Sequence, residues 1–172
     1  MIVLVGFMGA GKSTVGRALA DRLCLPFIDA DLAIEQAELR SIREIFTVGG
    51  EPEFRRIERE TIARLLVGPE AVLSLGGGAV EDPDTRRALA AVPVVFLQVD
   101  LAEALARTGD DPARPMLRRP DLAELFTHRQ AAYQEVATVT VTVGGRSVDE
   151  VVTAILGELL ALLDPAADPV GD

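Results

Sequence analysis

Lys12 is the single lysine of the chain, and the other sixteen basic residues are arginine. It lies in Gly6-Phe7-Met8-Gly9-Ala10-Gly11-Lys12-Ser13, which has the pattern G-x-x-x-x-G-K-S. A loop of this kind turns backbone N–H groups inward around phosphate oxygens. Its lysine reaches the β- and γ-phosphates, and its serine hydroxyl can ligate Mg²⁺. Lysine suits this place as a compact charge on a flexible stem, whereas arginine is a wide planar fork. The flanks supply the strand–loop–helix context the motif needs: 2–5 is a short apolar run, and 13–23 has the pattern of an amphipathic helix. A dinucleotide loop would need the different glycine spacing G-x-G-x-x-G.

Further along, Asp29-Ala30-Asp31 closes the second apolar run. In an open parallel sheet, ligands bind beyond the carboxyl ends of the strands, so both carboxylates are expected to face the phosphate loop. One can serve a metal and the other an acceptor hydroxyl, although Asp31 could also cap the helix that follows. Gly76-Gly77-Gly78 ends the third run and would offer bare backbone N–H groups to an anion, or merely make a tight turn. Arg55 and Glu58 stand at i and i+3 on a helix, share a face, and can pair into a carboxylate clamp. Taken alone, such a charged run also fits a solvated face. Arg129 is a second candidate of the same kind, and the neighbouring His128, the only histidine, reads as a surface residue. Arg114 lies in a stretch with three prolines and three arginines between Thr108 and Leu122. A loop-borne arginine there could swing in to stabilise charge on a transferring phosphoryl group.

The elements that must position these residues alternate. Strands are expected over 2–5, 27–29, 71–74, 94–99 and 139–143, all short and mostly apolar, as strands covered on both faces should be. Helices fall between them. Ser41 and Glu44 have the spacing of a capping box. Glu51-Pro52 opens a helix to about residue 66, Asp82-Pro83 opens another, and Ser147 caps a last one to about residue 163. Five strands with helical crossovers imply an α/β fold with a parallel sheet and helices on both faces. At 172 residues the chain is most simply one domain, over 1–163. A mobile lid is expected at about 109–121 and a disordered acidic tail over 164–172. The net charge of −10 argues against nucleic acid and anionic membrane surfaces as partners. No apolar run approaches the roughly 20 residues that span a bilayer, and the apolar start lacks the basic region of a signal peptide. Single Cys24 suits a reducing compartment, so the cytoplasm is expected. A monomer is the default expectation, although the sequence carries no signal of oligomeric state.

The constellation resembles shikimate kinase from residue 2 to about 162. The pieces stand in that family's order: GFMGAGKST at 6–14, DAD at 29–31, EFRRIE at 53–58, LSLGGGAV at 73–80, RP at 114–115, and Arg129 four residues before Tyr133. The resemblance implies a P-loop kinase fold with sheet order 2-3-1-4-5. It implies transfer of the γ-phosphate of MgATP to the 3-hydroxyl of shikimate, a step of chorismate and aromatic amino acid biosynthesis. Carried over residue by residue, Gly9, Ala10, Gly11, Lys12, Ser13 and Thr14 bind the nucleotide phosphates. Ser13 and Asp29 serve Mg²⁺. Asp31 binds the substrate hydroxyls, either as the acceptor of the proton or as a positioning group. Arg55 and Arg129 clamp the substrate carboxylate, Glu58 orients Arg55, and Gly76, Gly77 and Gly78 line the ring. Arg114 is the lid arginine, and Arg107 and Arg146 lie near adenine, Arg146 on a loop without the proline that relatives often carry. The rivals are a related kinase for a small hydroxy acid such as gluconate, a nucleoside-monophosphate kinase, and a catalytically silent ligand-binding relative. The intact Lys12, Asp31, Arg55 and Arg114 speak against the last.

Overall fold

A computed structural model of the chain describes residues 1–108 and 121–163. Residues 109–120, which hold nearly all of the expected lid together with Arg114, and the expected tail 164–172 lie outside them. The described residues form one five-stranded sheet of order β2-β3-β1-β4-β5. The strands are β1 (Ile2–Val5), β2 (Phe27–Asp29), β3 (Val72–Ser74), β4 (Val94–Gln98) and β5 (Val139–Thr142), and every neighbouring pair is parallel. β3 starts one residue later than expected from sequence, and β4 and β5 end one residue earlier, the ordinary scatter of element boundaries. The register places Val3 opposite Leu73 and Val94, so β1 is central. Successive residues Val3, Leu4 and Val5, and Val94 to Leu97, are all buried. Adjacent strand residues point to opposite faces, so both faces of the sheet are covered.

The covering helices are α1 (Lys12–Leu23), α2 (Ala30–Glu38), α3 (Ile42–Leu66), α4 (Pro83–Leu89), α5 (Leu101–Thr108), α6 (Leu122–Val136) and α7 (Val148–Leu163). A 3-10 turn spans Ala79–Glu81. The start signals act as the sequence indicates. Ser41 Oγ accepts from the Glu44 N–H at 3.2 Å while the Glu44 carboxylate accepts from the Ser41 N–H at 2.7 Å. Asp82 caps α4 with Pro83 in its first turn, and Ser147 makes a second capping box with Glu150. The cap of α2 differs from expectation. Asp29 holds it, accepting from the Asp31 N–H at 3.1 Å, because the helix begins at Ala30 and Asp31 is already inside its first turn.

α3 is two helical segments joined by a break at Gly50, whose φ of 70° and ψ of −175° are outside the helical region. The break puts Pro52 near the start of the second segment, where a missing N–H is harmless. It also re-aims that segment, which carries Arg55 and Glu58. Ile34, Ile45, Phe54 and Ile57 form a small apolar cluster, separate from the main core, that fastens α2 to α3. Phe46 and Phe54 add a ring contact with centroids 4.7 Å apart. Gly50 occupies a backbone region essentially reserved for glycine, and other residues are strained there by about 1–3 kcal/mol. Gly50→Ala is therefore expected to lower unfolding stability by about that amount in urea titrations. A wild-type midpoint would mean that the break does not depend on glycine.

Candidate active site

All the candidate residues that the structure describes lie at or beyond the carboxyl edge of the sheet. β1 runs into the phosphate loop, where Gly9 has φ +81°, and a Cβ built on it would stand 2.5 Å from the Ala104 carbonyl oxygen. Only glycine lets the loop pass this close to α5. Gly11 caps α1 in the left-handed region, so the helix begins at Lys12 and its first N–H groups face the loop, a natural anion site. Lys12 Nζ reaches back across the loop, donating to the Gly6 carbonyl at 2.7 Å and the Phe7 carbonyl at 3.3 Å. Ala10 is buried within the loop, and Thr14 is exposed on the first turn of α1. Ser13 Oγ donates to Asp29 Oδ2 at 3.1 Å, which brings two hard oxygens together beside the phosphate loop. Mg²⁺ favours such a site, where one or two protein oxygens leave room for water and phosphate. The residues present fit that ion.

Asp31 faces the turn after β3. A Cβ on Gly76 would lie 2.9 Å from Asp31 Oδ1 and 3.0 Å from Glu58 Oε1, so two carboxylates close on one point. Burial raises the pKa of Asp31, and the neighbouring Asp29 raises it further, while Lys12 and Arg55 pull it back. Burial likewise raises Glu58 against the pull of Arg55. On the next residues of the turn the charge changes sign. A Cβ on Gly78 would meet Arg55 Nη2 at 2.6 Å, Arg55 Nη1 at 2.7 Å and Arg129 Nη2 at 3.0 Å. The need for glycine at 76 and 78 is thus one of close approach, since neither has a positive φ.

Arg55 Nη1 donates to Glu58 Oε2 at 2.6 Å, and its Nε and Nη2 reach Glu51 at 3.3 and 3.2 Å. The i,i+3 pair read from sequence is therefore present, and with Glu58 only 3% exposed it is part of the interior rather than a solvated face. Arg129 is 4% exposed and arrives from α6 to meet Arg55 over Gly78. Two residues of this site were given no role from the sequence. Tyr133, one helical turn beyond Arg129 and fully buried, donates its hydroxyl to the Gly77 carbonyl at 2.6 Å. Burial pushes its phenol pKa up, so the donor stays protonated. The i,i+4 spacing of Arg129 and Tyr133 was the available signal. Glu81 accepts from Arg129 Nε at 3.1 Å and Nη2 at 3.2 Å, and nothing in the local sequence announces it.

Arg107 and Arg146 belong to a separate corner. Arg107 Nη2 donates to Glu103 Oε1 at 2.6 Å and to the Val143 carbonyl at 3.1 Å, which ties α5 to the turn after β5. Arg146 is exposed on that turn, and His128 is exposed on α6. The structure brings Lys12, Ser13, Asp29, Asp31, Arg55, Glu58, Gly76 to Gly78 and Arg129 into one region. Arg107 and Arg146 flank it, and Arg114 lies outside the described residues.

Comparison with known proteins gives the family. The family model "Shikimate kinase" matches residues 8–160. Shikimate kinase of Mycobacterium tuberculosis is 47% identical over 161 residues, covering 91% of this chain and 92% of that protein. The Mycobacterium avium enzyme is 46% identical over 163 residues, covering 92% of this chain and 93% of that one. Among solved structures, shikimate kinase from Acinetobacter baumannii in complex with shikimate superposes with a TM-score of 0.88 at 36% identity, covering 94% of this chain and 93% of that chain. A gluconokinase from Sinorhizobium meliloti reaches a TM-score of 0.64 at 22% identity, with 95% of this chain and 93% of that one covered, a likeness of fold alone. With a family model and close relatives spanning nearly its whole length, the chain belongs to the shikimate kinase family.

Proposed function

We propose that this chain transfers the γ-phosphoryl group of ATP to the 3-hydroxyl of shikimate, releasing ADP and shikimate 3-phosphate. The observation that carries the reading is the convergence of Arg55 and Arg129 over Gly78, next to Asp31 over Gly76, on the same sheet edge as the phosphate loop. A substrate with a carboxylate at one end and hydroxyls at the other matches that division of charge. The arginines clamp the carboxylate, Glu58 holds Arg55 in place, and Gly76 to Gly78 let the ring approach. Asp31 receives the hydroxyl. Its raised pKa makes it a better proton acceptor than an exposed aspartate. As the hydroxyl oxygen attacks phosphorus, the β–γ bridge bond breaks, ADP leaves, and the proton passes to the Asp31 carboxylate. Lys12 and the N–H groups at Gly9, Ala10, Gly11, Ser13 and Thr14 hold the phosphates, and Arg114 adds charge to the transferring group.

Ser13 and Asp29 are the residues that would hold Mg²⁺, which when bound neutralises charge between the β- and γ-phosphates. Arg107 and Arg146 would border the adenine. No helix among the described residues is long and apolar enough to cross a membrane, and a single exposed Cys24 suits the cytoplasm. Gluconate is the second substrate worth testing, and it lacks a ring to lie on the Gly76–Gly78 turn.

A coupled ADP-release assay with shikimate, quinate, gluconate and nucleoside monophosphates side by side is expected to respond to shikimate. Activity on gluconate without activity on shikimate would overturn the assignment. Asp31→Asn keeps the shape and removes the charge. General-base losses run to about 10²–10⁴-fold, and in a loose phosphoryl transition state the loss is expected near the lower end. The same variant should be more stable than the wild type at pH 7. A carboxyl whose folded pKa is raised favours folding fully only below its unfolded value, and that contribution is lost as pH rises through the folded value. Asparagine has no such loss, so Tm should rise, with the gain fading as pH falls toward the ordinary aspartate value of 3.8. Unchanged turnover would remove Asp31 from the chemistry. Arg55→Ala and Arg129→Ala should each weaken shikimate binding by about 2–5 kcal/mol while sparing ATP binding. In these variants an analogue without the carboxylate should bind about as well as shikimate. A full carboxylate preference in both variants would show that the arginines contact something else.

A further inference from the structure

Glu81 occupies a place that a substrate carboxylate would need. It closes the 3-10 turn after the three glycines, and its backbone is fixed from two sides. Arg86 Nη1 donates to the Val80 carbonyl at 2.8 Å and the Glu81 carbonyl at 3.2 Å, and Arg59 Nη1 holds the Asp82 carboxylate at 3.1 Å. From this mount the Glu81 side chain meets Arg129 side-on, with Oε1 3.1 Å from Nε and Oε2 3.2 Å from Nη2. Oε2 also stands 3.8 Å from Arg55 Nη2, so one carboxylate lies between the two guanidinium groups that converge over Gly78.

The two guanidinium charges at this point are already more than matched. Arg55 and Arg129 bring two positive charges, and Glu51, Glu58 and Glu81 bring three negative ones. A further carboxylate cannot be added favourably, so one of the three must yield. Glu58 cannot, because its side chain is 4% exposed and would carry an unpaired charge in the interior. Glu51 pairs with Arg55 and makes no ion pair with Arg129 among the described residues, and its side chain is already 65% exposed, so its release would not free Arg129. Glu81 spans both arginines, and its side chain is 28% exposed, so it can turn to water and be solvated there. Arg129, 5% exposed at its side chain, cannot follow it.

With Arg55 and Arg129 read as the substrate clamp, as above, we propose that Glu81 is an internal occupant of that clamp and that shikimate binds by carboxylate exchange. Its carboxylate takes the place of Glu81 on the guanidinium groups. Glu81 then does two things. It keeps a buried Arg129 charge paired while the site is empty, which spares the fold the cost of an isolated interior cation. It also acts as a specificity-determining residue, since a ligand without a carboxylate leaves Glu81 in place and meets an occupied site.

Glu81→Gln and Glu81→Ala, made in the full chain, test this by steady-state kinetics with shikimate. The exchange predicts that KM for shikimate falls in both variants. The fall should be about tenfold or more in Glu81→Ala, where a charge-assisted pair has been removed from the free state. Benzoate, a carboxylate on a plain ring, should inhibit competitively against shikimate at lower concentration in both variants than in the wild type. A purely structural Glu81 that only orients Arg129 predicts the opposite sign, with KM raised and benzoate weakened. A KM that is unchanged or raised in both variants overturns the exchange. Arg129→Ala run beside them separates the two ideas. If it raises KM while the Glu81 variants do not lower it, the clamp stands and the exchange fails. If it leaves KM unchanged, the clamp fails and the exchange fails with it.

Discussion

Burying charge without leaving it unpaired is the condition on which this site and much of its surroundings depend. Arg129 and Glu58 are among the most enclosed ionisable groups of the described residues, at 4% and 3% exposure. An interior charge costs several kcal/mol unless it is paired and hydrogen-bonded. Arg129 on α6 therefore requires Glu81 from the 3-10 turn, and Glu58 requires Arg55 from its own helix. Arg55 in turn lies against Gly78, and Tyr133 is bonded to Gly77. Satisfying these few groups ties α3, α6 and the turn after β3 into a single arrangement. The glycines make it possible, because a single Cβ at 76 or 78 would fall within about 3 Å of the charged groups.

The sheet contributes by bringing chain ends together. A parallel sheet delivers all its carboxyl termini to one edge, so the phosphate loop after β1, the aspartates after β2 and the glycines after β3 become neighbours. Helix geometry then sorts the charges. The N-terminus of α1 and Lys12 make one side of the edge favourable to phosphate. Asp29, bonded to Ser13, stands between that side and Asp31. The helix pair α2 and the second segment of α3 is held by its own small apolar cluster rather than by the main core. This gives the part of the fold that carries Arg55 and Asp31 a cohesion of its own.

The same features show where the proposed function would oppose stability. Asp31 is partly desolvated beside another carboxylate, a placement that raises its pKa and that folding alone would not select. Gly50 holds a backbone conformation other residues avoid, and through it the direction of Arg55 and Glu58 is set. Glu81 offsets part of this tension by keeping the guanidinium groups matched when no substrate is present.

Much of the molecule was legible in the sequence where the governing interaction is local. The phosphate loop, the capping boxes at Ser41 and Ser147, the Asp82-Pro83 start of α4 and the Arg55–Glu58 pair all join residues within a few positions of each other. Backbone geometry alone fixes such partners. The strand order required more, and it came from the family resemblance, because hydrophobic runs show that strands exist without showing which ones pair. Asp29 rather than Asp31 caps α2, because the helix begins at Ala30 and Asp31 is already inside its first turn. Only the tertiary structure could bring Glu81 to Arg129 and Tyr133 to Gly77, contacts that span 48 and 56 residues. No spacing rule links side chains at that distance along the chain. Their meeting is decided by how α6 packs over the turn that leaves β3, and by the need of a buried cation for a carboxylate wherever the fold can supply one.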